Sequence, residues 1–114
     1  MNKISTPYLE DIVKSVELIE EYVKNIENKD EFLNNPQLQD SVVRRLEIIG
    51  EATKRLEEKF KQMFPTIPWK RMAGMRDILI HDYDEIDLDL VWKVIKRDLP
   101  ELKVSLSELF KTRS

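Results

Sequence analysis

The chain has no cysteine, one histidine and two glycines in 114 residues. Without cysteine there is no disulfide scaffold, no thiol nucleophile, no zinc finger and no iron–sulfur site. A single histidine excludes a multi-histidine metal site within one chain. No apolar run approaches the ~18 residues of a membrane span. Met1-Asn2-Lys3 leads into no signal-peptide core. The expectation is a soluble, cytoplasmic chain. Scarce glycine leaves little material for tight loops and leans the chain toward helices.

What the sequence has in plenty is charge, 36% of residues, with 19 basic against 22 acidic and a net charge of −3. Interleaved signs argue against a protein that coats nucleic acid through bulk positive potential. A few placed cations remain compatible with RNA, because net charge limits nonspecific affinity and not local chemistry. The length suits one domain spanning residues 1–114.

Periodicity supports helices throughout. Thr6 is placed to cap a helix that Pro7 opens, since proline at the first helical position loses no needed N–H. Leu9, Ile12, Val13, Val16, Ile19, Val23 and Ile26 then form one apolar stripe. Residues 27–35 read as a connection with a single turn around Phe32-Leu33. Asn35-Pro36 repeats the cap-then-proline start and opens a second long helix to about Phe64. Its stripe is Leu38, Val42, Leu46, Ile49, Leu56, Phe60 and Met63. Glu51 with Arg55, and Glu57 with Lys61, stand four apart on its polar side. Gly50 costs this helix about 1 kcal/mol relative to alanine, which a closely approaching neighbour helix would explain. Pro65 and Pro68 bracket a break, and Pro68-Trp69 opens a third helix running toward His81. Asp87 caps a fourth helix through Val91, Trp92, Val94 and Ile95. Pro100 restarts the chain into a short fifth helix with Leu102, Leu106, Leu109 and Phe110. No alternating segment is long enough for a sheet. The pattern predicts an all-α fold, an antiparallel bundle of four to five helices.

Chemistry concentrates between Met72 and Tyr83. Arg76 stands five residues before the histidine, His81, and Tyr83 two after it. On an ideal helix Arg76 and Tyr83 share a face, whereas His81 lies about 140° round from Arg76 and about 7.5 Å along the axis. Three arrangements would bring arginine and histidine together: the arginine reaches round, the helix loosens near His81, or a twofold-related copy aligns two such pairs in one cleft. RNA cleavage through the ribose 2′-OH needs a base for that hydroxyl, an acid for the leaving 5′-oxygen and a cation for the charge gathered on phosphorus. Histidine supplies base or acid near neutrality. Arginine presents a permanent planar fork to phosphate oxygens. This scheme requires no metal and no cofactor. Lys70 and Arg71 are candidate RNA contacts that would add positive potential if they face the same groove.

The segment Arg76-Asp77-Ile78-Leu79-Ile80-His81-Asp82-Tyr83 resembles the Arg-x4-His-x-Tyr motif of HepT-type proteins in the HEPN superfamily. Arg45-Leu46-Glu47-Ile48-Ile49-Gly50-Glu51-Ala52 is similar to that family's middle-helix signature. Ile67-Pro68-Trp69 and Met72-Ala73-Gly74-Met75-Arg76 resemble the approach to its motif, and Tyr83 to Trp92 its continuation. The resemblance thus extends over nearly the whole chain. It implies an all-α bundle that homodimerises with the motif helices facing one another. It also implies a metal-independent endoribonuclease toxin made alongside a small nucleotidyltransferase antitoxin, MntA. On this resemblance Arg76 stabilises the phosphorane and His81 is the general acid or base. Asp77 follows the arginine where the superfamily often has a polar residue, and supports it. Tyr83 is the residue the antitoxin adenylylates, placing a negative charge at a phosphate-binding cleft.

The remaining features have plainer readings. Asp82, Asp84, Glu85, Asp87 and Asp89 form an acidic run without the glycine and terminal glutamate of an EF-hand loop. They read as a solvated connection and helix cap, or as a face for a basic partner. Trp69 and Trp92 read as core or dimer interface, Met72 and Met75 as packing around Gly74. Gly74 itself would admit another helix or RNA. Arg44-Arg45 and Lys54-Arg55 read as a polar helix face that a dimer could align into an RNA track. A second function from a different class stands beside the ribonuclease: a noncatalytic, nucleotide-binding accessory subunit of a minimal nucleotidyltransferase. Net negative charge favours that reading, and the full arginine, histidine and tyrosine set favours the ribonuclease.

Overall fold

The computed structural model describes residues 5–81 and 85–113. Helix α1 (Ser5–Val23) and helix α3 (Pro36–Arg55) form the principal pair, joined by the single-turn α2 (Lys29–Leu33). Tyr8 and Asp11 near the start of α1 share a cleft with Glu51 and Arg55 near the end of α3, so the two helices run antiparallel. Their facing stripes interlock: Leu9, Ile12, Val16 and Ile19 are buried against Val42, Leu46 and Ile49, with Phe32 of α2 closing one end. Helix α1 begins at Ser5, one residue before the threonine expected to cap it. The other two local signals hold. The Asn35 side chain accepts a hydrogen bond from the Leu38 N–H at the start of α3, and the short turn around Phe32-Leu33 is α2.

The long second helix stops earlier than its apolar stripe predicts. At Leu56 the backbone turns extended (φ −67°, ψ 141°), and the chain resumes as α4 (Glu58–Gln62). Leu56 and Phe60 are both buried. Leaving the helix between them lets the chain fold back so that both reach the core, which outweighs the lost helical hydrogen bonds. The same exit carries Met63 out to 66% exposure, although it continues the stripe.

The expected third helix is broken as well. It is two single turns, α5 (Trp69–Ala73) and α6 (Met75–Leu79), divided at Gly74. The backbone then becomes extended in β1 (Ile80–His81), which pairs antiparallel with β2 (Glu85–Ile86), Ile80 opposite Ile86 and His81 opposite Glu85. The fold remains all-α apart from this two-residue ladder. Trp69 anchors the start of α5 by donating its indole N–H to the carbonyls of Lys61 and Phe64 at 3.0 and 3.1 Å.

Asp87 caps α7 (Leu88–Lys93) by accepting from the Leu90 N–H. No restart occurs at Pro100. Helix α7 passes through a π-helical turn (Val94–Asp98) directly into α8 (Leu99–Arg113). In the π turn the Leu99 N–H reaches back five residues to the Val94 carbonyl. Pro100 has no N–H, and in a regular helix its ring would press on the carbonyl four residues earlier. The wider turn relieves that contact without ending the helix. Leu99, Leu102, Leu106 and Leu109 are buried in the core. No described helix is long and apolar enough to cross a membrane.

Candidate active site

The motif segment rests on the C-terminal half of α3. Met72 of α5 and Met75 of α6 are fully buried and plug both turns into the core, which leaves the flanking Lys70, Arg71, Arg76 and Asp77 outward. Gly50 is the contact point. A Cβ there would meet the Arg76 backbone N and Cβ at 3.0 Å and the Ala73 carbonyl at 3.3 Å. The missing side chain therefore lets the backbone of α6 lie directly on α3. Gly74 does not serve close approach: a Cβ there would make ordinary contacts at 3.5 and 3.6 Å with its own helix turn.

Seated on Gly50, Arg76 sends its guanidinium across to the next residue of α3, and its Nη1 donates to the Glu51 carboxylate. Half of each side chain is exposed. One turn further, Lys54 lies 3.5 Å from Asp77. The α3–α6 crossing thus carries two ion pairs of opposite polarity. Solvent screening limits each to at most about 1 kcal/mol of stability. Glu51 reaches across to Arg76 rather than along its own helix to Arg55. The four-residue spacing to Arg55 hid that role; the adjoining Gly50, which marks a close crossing, was the signal that could have exposed it.

His81 lies two residues beyond α6 on β1, so an ideal helix no longer sets its separation from Arg76. Loosening near His81 is the course the backbone takes. Its side chain, and Tyr83 altogether, lie outside the described residues. Lys70 is exposed. Arg71 turns elsewhere, 3.4 Å from Glu101 and 3.9 Å from Asp98. There it borders a cleft of about 360 Å³ against the π turn and α8. The structure thus does not bring Arg71 to the Arg76–Glu51 pair. A second cleft, about 330 Å³, runs between α1 and α3 with Glu51 on its edge and Arg44 and Arg55 on its walls. In the acidic run, Asp87 is the helix cap and Asp89 pairs with Lys29 at 2.5 Å; Asp82 and Asp84 lie outside the described residues. Among the described residues, no three histidine, aspartate or glutamate side chains converge on a metal position.

An all-α bundle with an arginine seated at a helix crossing, followed five residues later by its histidine, fits a small helical nuclease. The chain belongs to the ribonuclease HepT-like family, whose profile, described as "Ribonuclease HepT-like", matches residues 12–109. It is 46% identical over 111 residues to a probable ribonuclease HepT of Thermococcus cleftensis, covering 97% of this chain and 100% of that relative. A candidate RNase of Methanocaldococcus jannaschii is 50% identical over 56 residues, 49% of this chain and 51% of the relative. One from Caldanaerobacter subterraneus is 42% identical over 62 residues, 54% and 55% of the two chains. No solved structure matches. The HEPN resemblance carried by the motif and the Gly50 segment is confirmed, and family membership supports ribonuclease activity.

Proposed function

We propose that this protein is a metal-independent endoribonuclease and the toxin of a type II toxin–antitoxin pair. The observation that supports it most is the seating of Arg76: a backbone fixed on Gly50 with a guanidinium left half in solvent. Such a cation is placed in advance and still reachable by a phosphate. In the proposed reaction the ribose 2′-oxygen bonds to phosphorus while the bond from phosphorus to the 5′-oxygen breaks. One His81 takes the 2′-OH proton, and a protonated His81 gives a proton to the leaving 5′-oxygen. The products are a 2′,3′-cyclic phosphate and a 5′-hydroxyl. Arg76 stabilises the charge that builds on the phosphoryl oxygens, and Asp77 supports it.

With His81 as both base and acid in one turnover, two histidines are required, and each chain has one. The site is accordingly a composite of two copies in a homodimer. Lys70, exposed on α5, then adds an RNA contact at its margin; Arg71, paired with Glu101 and Asp98, is left out of it. Neutralisation follows from adenylylation of Tyr83 by an MntA-type nucleotidyltransferase, which transfers AMP from ATP and releases pyrophosphate. The added anion occupies ground that RNA phosphate would need.

The test is cleavage of labelled RNA in EDTA by purified chain whose mass shows no AMP, with His81→Ala alongside. Expected are cyclic-phosphate ends from the wild type, and loss of cleavage in the variant with helix content and dimer mass unchanged. An unmodified, dimeric wild type without activity would replace this reading with the accessory-subunit one. Equal activity in both samples would remove His81 from the mechanism.

A further inference from the structure

The crossing of α3 and α6 holds Arg76 at two consecutive residues of one helix. Gly50 fixes its backbone, because any Cβ there would meet the Arg76 N and Cβ at 3.0 Å. Glu51 fixes its far end by accepting from Nη1. The side chain is thus anchored at both ends, and a long arginine loses most of its rotamer freedom before any ligand arrives. The contact uses one terminal nitrogen of a guanidinium that carries five N–H donors in a rigid fork. Nη2 and Nε remain for a phosphate. The pair is half in water, where ion pairs do little for folding. A contact so placed acts on orientation more than on stability.

We infer that Glu51 is a positioning residue for phosphate recognition: it holds the Arg76 guanidinium so that its remaining donors meet the phosphoryl oxygens as they gain charge. This rests on the ribonuclease reading of Arg76. The neighbouring pair of Lys54 and Asp77 reinforces the register of the crossing. Glu51 touches no reacting atom; it acts through Arg76.

The experiment compares Glu51→Ala and Glu51→Gln with wild type in the full chain. In the RNA assay, Glu51→Ala lowers kcat about 10- to 100-fold, the scale of a misplaced catalytic group. KM stays within about threefold of wild type, because what is lost is made in the transition state. Glu51→Gln recovers most of kcat, since its amide oxygen still accepts from Nη1. In an Arg76→Lys background, Glu51→Ala costs less than about twofold more, as two changes in one unit should. A second readout needs no activity: rotation about the Nε–Cζ bond of Arg76 by nitrogen NMR, slow in wild type and in Glu51→Gln, fast in Glu51→Ala. A higher kcat or a lower KM in Glu51→Ala would overturn the proposal and make the carboxylate a competitor of phosphate. So would Arg76 resonances that do not respond to Glu51→Ala. Wild type that binds RNA and never cleaves it would defeat the ribonuclease reading, and the resonance comparison would still decide whether Glu51 holds Arg76.

Discussion

Where α1 meets α3, helices of 19 and 20 residues bury matched apolar stripes. Where α3 meets α5 and α6, two five-residue turns lay their backbone on a glycine and keep their charged side chains in solvent. The first contact is dry and spread over many side chains. The second is narrow and hangs on Met72, Met75 and the Gly50 crossing. Helices of five residues are not stable by themselves, so α5 and α6 take their geometry from the surface beneath them. One helix, α3, therefore does two jobs: its apolar stripe is core against α1, and around Gly50 it is also the bench on which the motif is laid.

Substitutions at α3 should separate those two jobs. The largest expected effect is Leu46→Ala, which empties a fully buried position between α1 and α3. It should cost about 2–5 kcal/mol in urea unfolding, and the remaining folded fraction should cleave RNA at the wild-type rate per molecule. Next is Gly50→Ala. Its helix-propensity gain of about 1 kcal/mol is outweighed by about 1–3 kcal/mol of overpacking against the Arg76 backbone. A net destabilisation of about 1 kcal/mol should accompany a loss of cleavage of about tenfold or more, because the motif is lifted off its seat. A stabilised, fully active Gly50→Ala would show that the crossing has room to spare. The smallest is Gly74→Ala. Its φ of −76° suits any residue and its Cβ would make only ordinary contacts, so thermal melting should show a gain of about 0.4–1 kcal/mol. Two glycines 24 residues apart are thus expected to respond to the same change with opposite sign.

Features set by neighbours in the chain were legible from the sequence. Asn35 and Asp87 cap helices because a side-chain oxygen two or three residues from an orphan N–H acts locally. The close approach at Gly50 was legible too, since glycine inside an otherwise strong helix needs a packing reason. Features set by distant contacts were not. Leu56 leaves its helix to bury a side chain, and Pro100 is absorbed by a π turn; apolar periodicity is blind to both. At the site, the motif marked Arg76, but its partner Glu51 lies 25 residues earlier. A competing local pairing with Arg55 was the simpler reading. Gly74 showed the converse, a glycine that suggested close contact and instead only divides two turns.

The chain's two tryptophans happen to fall in different neighbourhoods. Trp92 lies 5.5 Å from the ring of Phe32 and beneath the Lys96 ammonium. Trp69 stands at the foot of the motif, its indole N–H held by two backbone carbonyls. With Trp92 changed to phenylalanine, tryptophan emission would come from Trp69 alone. The molecule would then carry its own lamp at the start of α5, and the colour and lifetime of that light would follow whatever settles there, with no dye attached.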